Sequence, residues 1–200
     1  GGWRTRSDTA GDSKLRGMLT WSDNSSDRWI AAGSYDSLYI WNSGGTRFDI
    51  TPTGLTDGRE DAIAFTGFGG GLFGSYGYGV ARPDTVRIQP ATSWDLSAWG
   101  EDLLACNEDD GKIYQWELNT ATAATVLSNA PTGNHGIVVT EERFLFALGA
   151  GGNPRKVQWS DREDNNTWTP AATNEAGDLE LNTSGFLMKG MSVRGQTLLL

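Results

Sequence analysis

Three stretches share one arrangement of apolar and polar positions: an alternating apolar run, a short turn rich in Gly or Asp, and a second apolar run closing on tryptophan. They are RWIAAGSYDSLYIWN (28–42), EDLLACNEDDGKIYQWE (101–117) and RFLFALGAGGNPRKVQWS (143–160). Alternation of period two puts one set of side chains on each face of a strand, and turns of this composition reverse the chain, so each stretch predicts a β-hairpin. The closing residues are Trp41, Trp116 and Trp159. The last two lie 43 positions apart, close to the roughly 40 to 45 residues of a four-stranded propeller blade. The first two lie 75 apart, one such period plus about 30 residues of insertion.

The insertion is visible as FTGFGGGLFGSYGYGVARPD (65–84), where glycine alternates with aromatic side chains and neither a helical nor a strand period survives. It reads as a loop carrying Phe68, Phe73, Tyr76 and Tyr78 on a flexible backbone, a candidate subunit-interface or channel arm. The expected class is therefore all-β, a partial β-propeller of about three and a half four-stranded blades. In order, the chain divides into a lead-in segment (1–18), a blade-like unit (19–53), the Gly/aromatic insertion (54–84), blade-like units (85–131 and 132–184) and the start of a further blade (185–200). So few blades cannot close a ring, which predicts that the chain is a fragment of a longer protein, as does its opening GGWRTR.

Composition narrows the chemistry. Twenty-seven glycines against six prolines, with nine tryptophans, favour short strands and turns around an apolar core. The formal charge of -9, from 25 acids and 16 basic residues, disfavours tight binding to a phosphate backbone, which needs clustered Lys and Arg. An acidic wall would instead let a polyanion slide past. One cysteine, Cys106, excludes an internal disulfide, and its apolar setting predicts a buried hydrophobe. No apolar run approaches the roughly 18 residues of a membrane span.

Each candidate for catalysis or binding meets a plainer reading. Gly69 to Gly74 matches the dinucleotide pattern G-x-G-x-x-G, but SYGYGVARP follows and cannot open the required helix. His135 is the one histidine, no G-x-S-x-G elbow exists, and a turn role is expected. The acid clusters NEDDG (107–111) and DREDNN (161–166) invite calcium, yet neither follows the twelve-residue loop pattern. Asp110-Gly111 reads as a hairpin turn and 161–166 as a solvated loop ahead of Trp168. No carboxylate pair stands out for glycoside hydrolysis, and the Asn-x-Ser/Thr triplets are chance matches in a chain without a visible signal peptide. No catalytic residue, metal ligand or cofactor is therefore expected. The tryptophans, recurring with the blades, read as packing between blades, with glycan stacking on exposed rings as the alternative.

The ordered set IAAGSYDSLYIW, FDITP, the Gly/aromatic loop, SWDLSAWGEDLLAC, GKIYQW, NAP, VVTEERFLFALG, VQWSDREDNNTWTP and NEAGDLEL, from about residue 19 to 200, resembles bacteriophage virion proteins of the tail nozzle or tail-tube accessory type. The resemblance implies a propeller-bearing structural protein of the virion, made in the host bacterial cytoplasm. It implies copies in a ring, six in nozzles of this type, around the channel through which DNA leaves, with other tail or portal-adaptor proteins as partners. DNA would pass without tight binding, and no catalysis is implied. A receptor- or glycan-binding propeller module of a phage tail is the alternative.

Overall fold

The structure, a computed structural model, describes residue 5 and residues 7–63, 77–80 and 89–200. The first antiparallel sheet is β1 (Met18–Ser22), β2 (Arg28–Gly33), β3 (Leu38–Trp41) and β4 (Arg47–Asp49). The second is β5 (Trp94–Trp99), β6 (Asp102–Asn107), β7 (Ile113–Trp116) and β8 (Thr125–Val126). The third is β9 (Gly136–Val139), β10 (Leu145–Leu148), β11 (Lys156–Trp159) and β12 (Gly177–Glu180). Strands β13 (Gly190–Val193) and β14 (Gln196–Leu199) form a two-stranded fourth unit. Among the described residues the only helical turn is a 3₁₀ piece, Ala150–Gly152. The chain is all-β, a partial β-propeller of three and a half blades.

Each sheet is a plain meander, and β1, β5, β9 and β13 lie side by side in that order. These first strands are the innermost of their blades. The turns joining second to third strands, and the connections from one blade to the next, therefore share one end of the arc. The remaining turns share the other end.

Blades pack through alternate positions, because period two sends neighbouring residues to opposite faces. Leu19, Trp21, Ala31, Leu38 and Ile40 of blade 1 meet Leu103, Ala105, Tyr114 and Trp116 of blade 2 in one core. The complementary positions Leu104, Cys106 and Ile113 meet Ile137, Leu145 and Ala147 of blade 3. Val138, Leu148 and Val157 turn the other way and pack with Leu187 and Leu199 of the last unit. Each such side chain contributes about 1.5–3 kcal/mol when fully buried, so the seams between blades are the core.

The three closing tryptophans do not occupy one structural position. Trp116 faces back onto blade 1, edge-on to Trp21 at 6.5 Å and Trp29 at 5.6 Å. Trp41 shares that backward-facing side, next to Ala32 and Tyr39. Trp159 faces forward instead, half-buried and stacked on Phe146 at 5.7 Å. The hairpin turn of blade 3 is longer, so the pairing Phe146↔Trp159 stands one residue out of phase with Leu103↔Trp116. Trp168 fills the seam between blades 2 and 3 in its place.

The predicted turn at Asp110-Gly111 is present, with Gly111 at φ 64°. A Cβ there would lie 2.5 Å from the Gly133 Cα, so glycine is needed both for the backbone angle and for the approach of the next blade. His135 lies in a bend just before β9, its backbone N–H donating to the Leu148 carbonyl at 2.8 Å.

Candidate interaction surface

The insertion leaves the arc between β4 and β5, at the end that carries the second-to-third-strand turns. Ile63 and Gln89 exchange two backbone hydrogen bonds, at 2.8 and 3.0 Å, and so close its neck. Below the neck, Arg59 Nη2 pairs with Asp109 Oδ1 at 2.5 Å and Arg59 Nε–H donates to the Pro90 carbonyl at 2.9 Å. The Arg59 backbone N–H donates to Thr92 Oγ1 at 2.6 Å, and the Thr92 hydroxyl donates to Asp109. The Gly58 N–H donates to the Tyr35 carbonyl of the blade 1 turn at 2.8 Å. The insertion is thus anchored to blades 1 and 2. Of the four aromatic candidates, Tyr78 is fully exposed, while Phe68, Phe73 and Tyr76 lie outside the described residues. Arg59 and Asp109 escape sequence reasoning because 50 positions separate them, and neither belongs to a motif.

Many acids at this end are already engaged. Asp61 accepts Lys14 Nζ at 2.7 Å, a bond that holds its carboxyl below the usual range. Burial would raise Asp36, but the Ser34 and Ser37 hydroxyls at 2.7 and 3.0 Å outweigh it and keep the carboxyl low. Tyr114 donates its hydroxyl to Asp110, and burial together with that carboxylate pushes its ionisation up.

At the opposite end, the stretch from Asp161 to Asn166 departs from a simple solvated loop. Asn165 is buried, and its Nδ2 donates to Gln115 Oε1 at 2.9 Å, while Gln115 Nε2 donates to Asp102 Oδ2 at 2.8 Å. The Asn165 carbonyl also accepts the Trp168 indole N–H at 2.7 Å. This loop therefore ties blade 3 to blade 2. Asp161 accepts the backbone N–H groups of Arg162 and Glu175, and Asp164 that of Asn166, each at 2.8 Å; the last, two residues on, is an Asx turn.

Near the axis, Asp95 of β5 is held above its ordinary carboxylate range by burial, with Lys189 Nζ at 3.5 Å and the Ile137 N–H at 3.0 Å pulling the other way. Cys106 is fully buried and its thiol is pushed up by desolvation. It packs as a small hydrophobe, not as a nucleophile, because only a thiolate attacks.

The two ends of the arc are different in kind. The backward face of blade 1 carries Met18 and Thr20 of β1, Ile30 and Ala32 of β2, and Tyr39 and Trp41 of β3. Over β3 it is covered by the lead-in segment: Trp41 Nε1–H donates to Ser7 Oγ at 2.7 Å and the Tyr39 hydroxyl to Asp12 Oδ2 at 3.0 Å. Over β1 and β2 it is open, a groove of about 720 Å³ in which Met18 is 73% exposed. Of the nearby tryptophans, Trp41 shares this face and its indole N–H is used on Ser7, whereas Trp21 and Trp29 turn their rings to the seam with blade 2. At the far end, β13 and β14 pack one face on blade 3 through Leu199, leaving Met191, Val193 and Leu198 exposed on the other.

No family model matches the chain. It is similar to Elongator complex protein 2 of Dictyostelium discoideum, a WD40 β-propeller protein, with 32% identity over 113 residues. That match covers 55% of this chain and 10% of the relative, so the chain spans about a tenth of the relative's length.

Proposed function

We propose that the chain is a non-catalytic structural component of a phage virion tail, present as copies in a ring around the channel for DNA ejection. The observation that carries the scaffold part of this reading is the stack of blades, whose side chains fill continuous apolar seams. The phage setting rests on the ordered motif set from residue 19 to 200. The net charge of -9 supports a wall that repels DNA and lets it slide. Tyr78, exposed within the insertion, suits an arm reaching a neighbouring copy or another tail or portal-adaptor protein.

The glycan-binding alternative draws little support from Trp21, Trp41, Trp94, Trp99, Trp116 and Trp168, because each is buried and offers no open ring face for a sugar to stack on. Mass spectrometry and electron microscopy of purified virions test the proposal. The expected result is the protein in stoichiometric copies within the tail; infectious virions that lack it would sink the idea.

A further inference from the structure

We infer that the part of the insertion between Ile63 and Gln89 is an appendage that the fold carries without needing, and that it serves contact with another protein through Tyr78. The second half deepens the arm reading above and rests on it; the first half stands by itself.

The insertion leaves the blades as a two-stranded stem. Arg59 and Thr92 face each other across it, the Thr92 N–H donating to the Arg59 carbonyl at 3.0 Å and the Arg59 N–H to Thr92 Oγ1 at 2.6 Å. Further out, Ile63 and Gln89 exchange backbone bonds in both directions. The ties to the blades lie on the lower part of the stem. Gly58 reaches Tyr35, Arg59 reaches Asp109, and Asp61 accepts Lys14 Nζ at 2.7 Å. Thr92 is buried, and a Cβ on Gly58 would lie 2.1 Å from its Oγ1, so the two sides of the stem are in close contact there. An antiparallel pair that exchanges both bonds is the pair that a two-residue hairpin turn closes. Joining Ile63 to Gln89 through Asn-Gly therefore removes residues 64–88 and leaves each of these ties in place.

The described residues beyond that pair are Gly77 to Val80, and none of them belongs to a core cluster. They form a turn of their own, the Val80 N–H donating to the Gly77 carbonyl at 3.2 Å. Gly79, at φ 81°, supplies the positive angle that a type II turn requires at its third position. Tyr78 occupies the second position, fully exposed, with Val80 61% exposed beside it. A tyrosine ring has few torsions to fix on binding, and it offers an apolar body with a polar tip. The turn carries no charge. The partner that fits is a protein cleft with apolar walls and a hydrogen-bond acceptor for the hydroxyl. Another copy of this chain and a different protein both answer to that chemistry, and the experiment separates them.

Two variants of the full chain test the inference. In the first, Asn-Gly replaces residues 64–88, and the expected urea midpoint is that of the wild type. A clear fall in the midpoint shows that the segment belongs to the fold and overturns the inference. In the second, p-benzoylphenylalanine replaces Tyr78, and the protein is irradiated in infected cells and in purified virions. The expected product is a cross-link from position 78 to one site on a second chain, mapped by peptide mass spectrometry, and lost when Gly79→Val breaks the turn. A cross-linked dimer identifies a second copy; a link to another sequence identifies a different protein. Cross-links confined to one chain, or a product that survives Gly79→Val, overturn the contact. A cross-link formed in cells while virions lack the protein defeats the tail reading and leaves the appendage standing.

Discussion

Gly33 shows how one atom fixes the approach of two blades. A Cβ at this position would lie 2.2 Å from Trp94 Cδ1, and Trp94 cannot retreat because its indole N–H is bonded to the Ser34 carbonyl at 2.6 Å. Gly33→Ala is expected to destabilise the fold by about 1–3 kcal/mol through overpacking, measured as a lowered urea midpoint with an unchanged slope; an unaltered midpoint would show that the seam yields. Asp95 gives a pH signature. Its carboxyl is raised from the ordinary 3.8 by burial, so between that value and the raised one the folded protein holds a proton that the unfolded chain has released. Stability from this group falls as pH rises through that window. Asp95→Asn has no such proton. Its stability relative to wild type is therefore expected to be higher near neutral pH than near pH 4, by chemical denaturation at both; a difference that is flat or reversed contradicts the assignment. Exposed acids are common to both proteins and cancel in the comparison.

Strand phase decides what each tryptophan does. The three hairpins look alike in sequence, yet Trp116 is 1% exposed within a cluster of three tryptophans, while Trp159 is half-buried on Phe146. Trp116→Ala and Trp168→Ala are each expected to cost about 3–5 kcal/mol, the usual range for emptying a buried aromatic site. Trp159→Ala is expected to cost distinctly less. Equal losses for all three in denaturant titrations would restore the equivalence that the sequence spacing implies. The triplet Trp-Ser-Asp behaves likewise. At Trp21 it ends a first strand, with Asp23 accepting the Trp29 indole at 3.0 Å. At Trp159 it ends a third strand, with Asp161 accepting the Glu175 N–H. The two copies of the triplet therefore share neither blade position nor partners.

At the scale of the whole molecule, blades 2 and 3 are packed on both faces, so the seams tie the blades into one stack. The virion location is the prediction that belongs to this scale. The base of the insertion is tied to both blade 1 and blade 2, through the Gly58 N–H on the Tyr35 carbonyl and Arg59 on Asp109.

Local alternation and turn chemistry determined by themselves the class of the fold, the three middle hairpins and the turn at Gly111, because hydrogen-bonded strands and positive φ are set by residues close in the chain. The burial of Cys106 was legible for the same reason, as it sits inside a continuous apolar run. Tertiary structure alone decided the phase of blade 3, the use of Asn165 as a tie to Gln115 and the pairing of Arg59 with Asp109. Each of these depends on where a second blade comes to rest, and a spacing along one chain carries no measure of the distance across a seam.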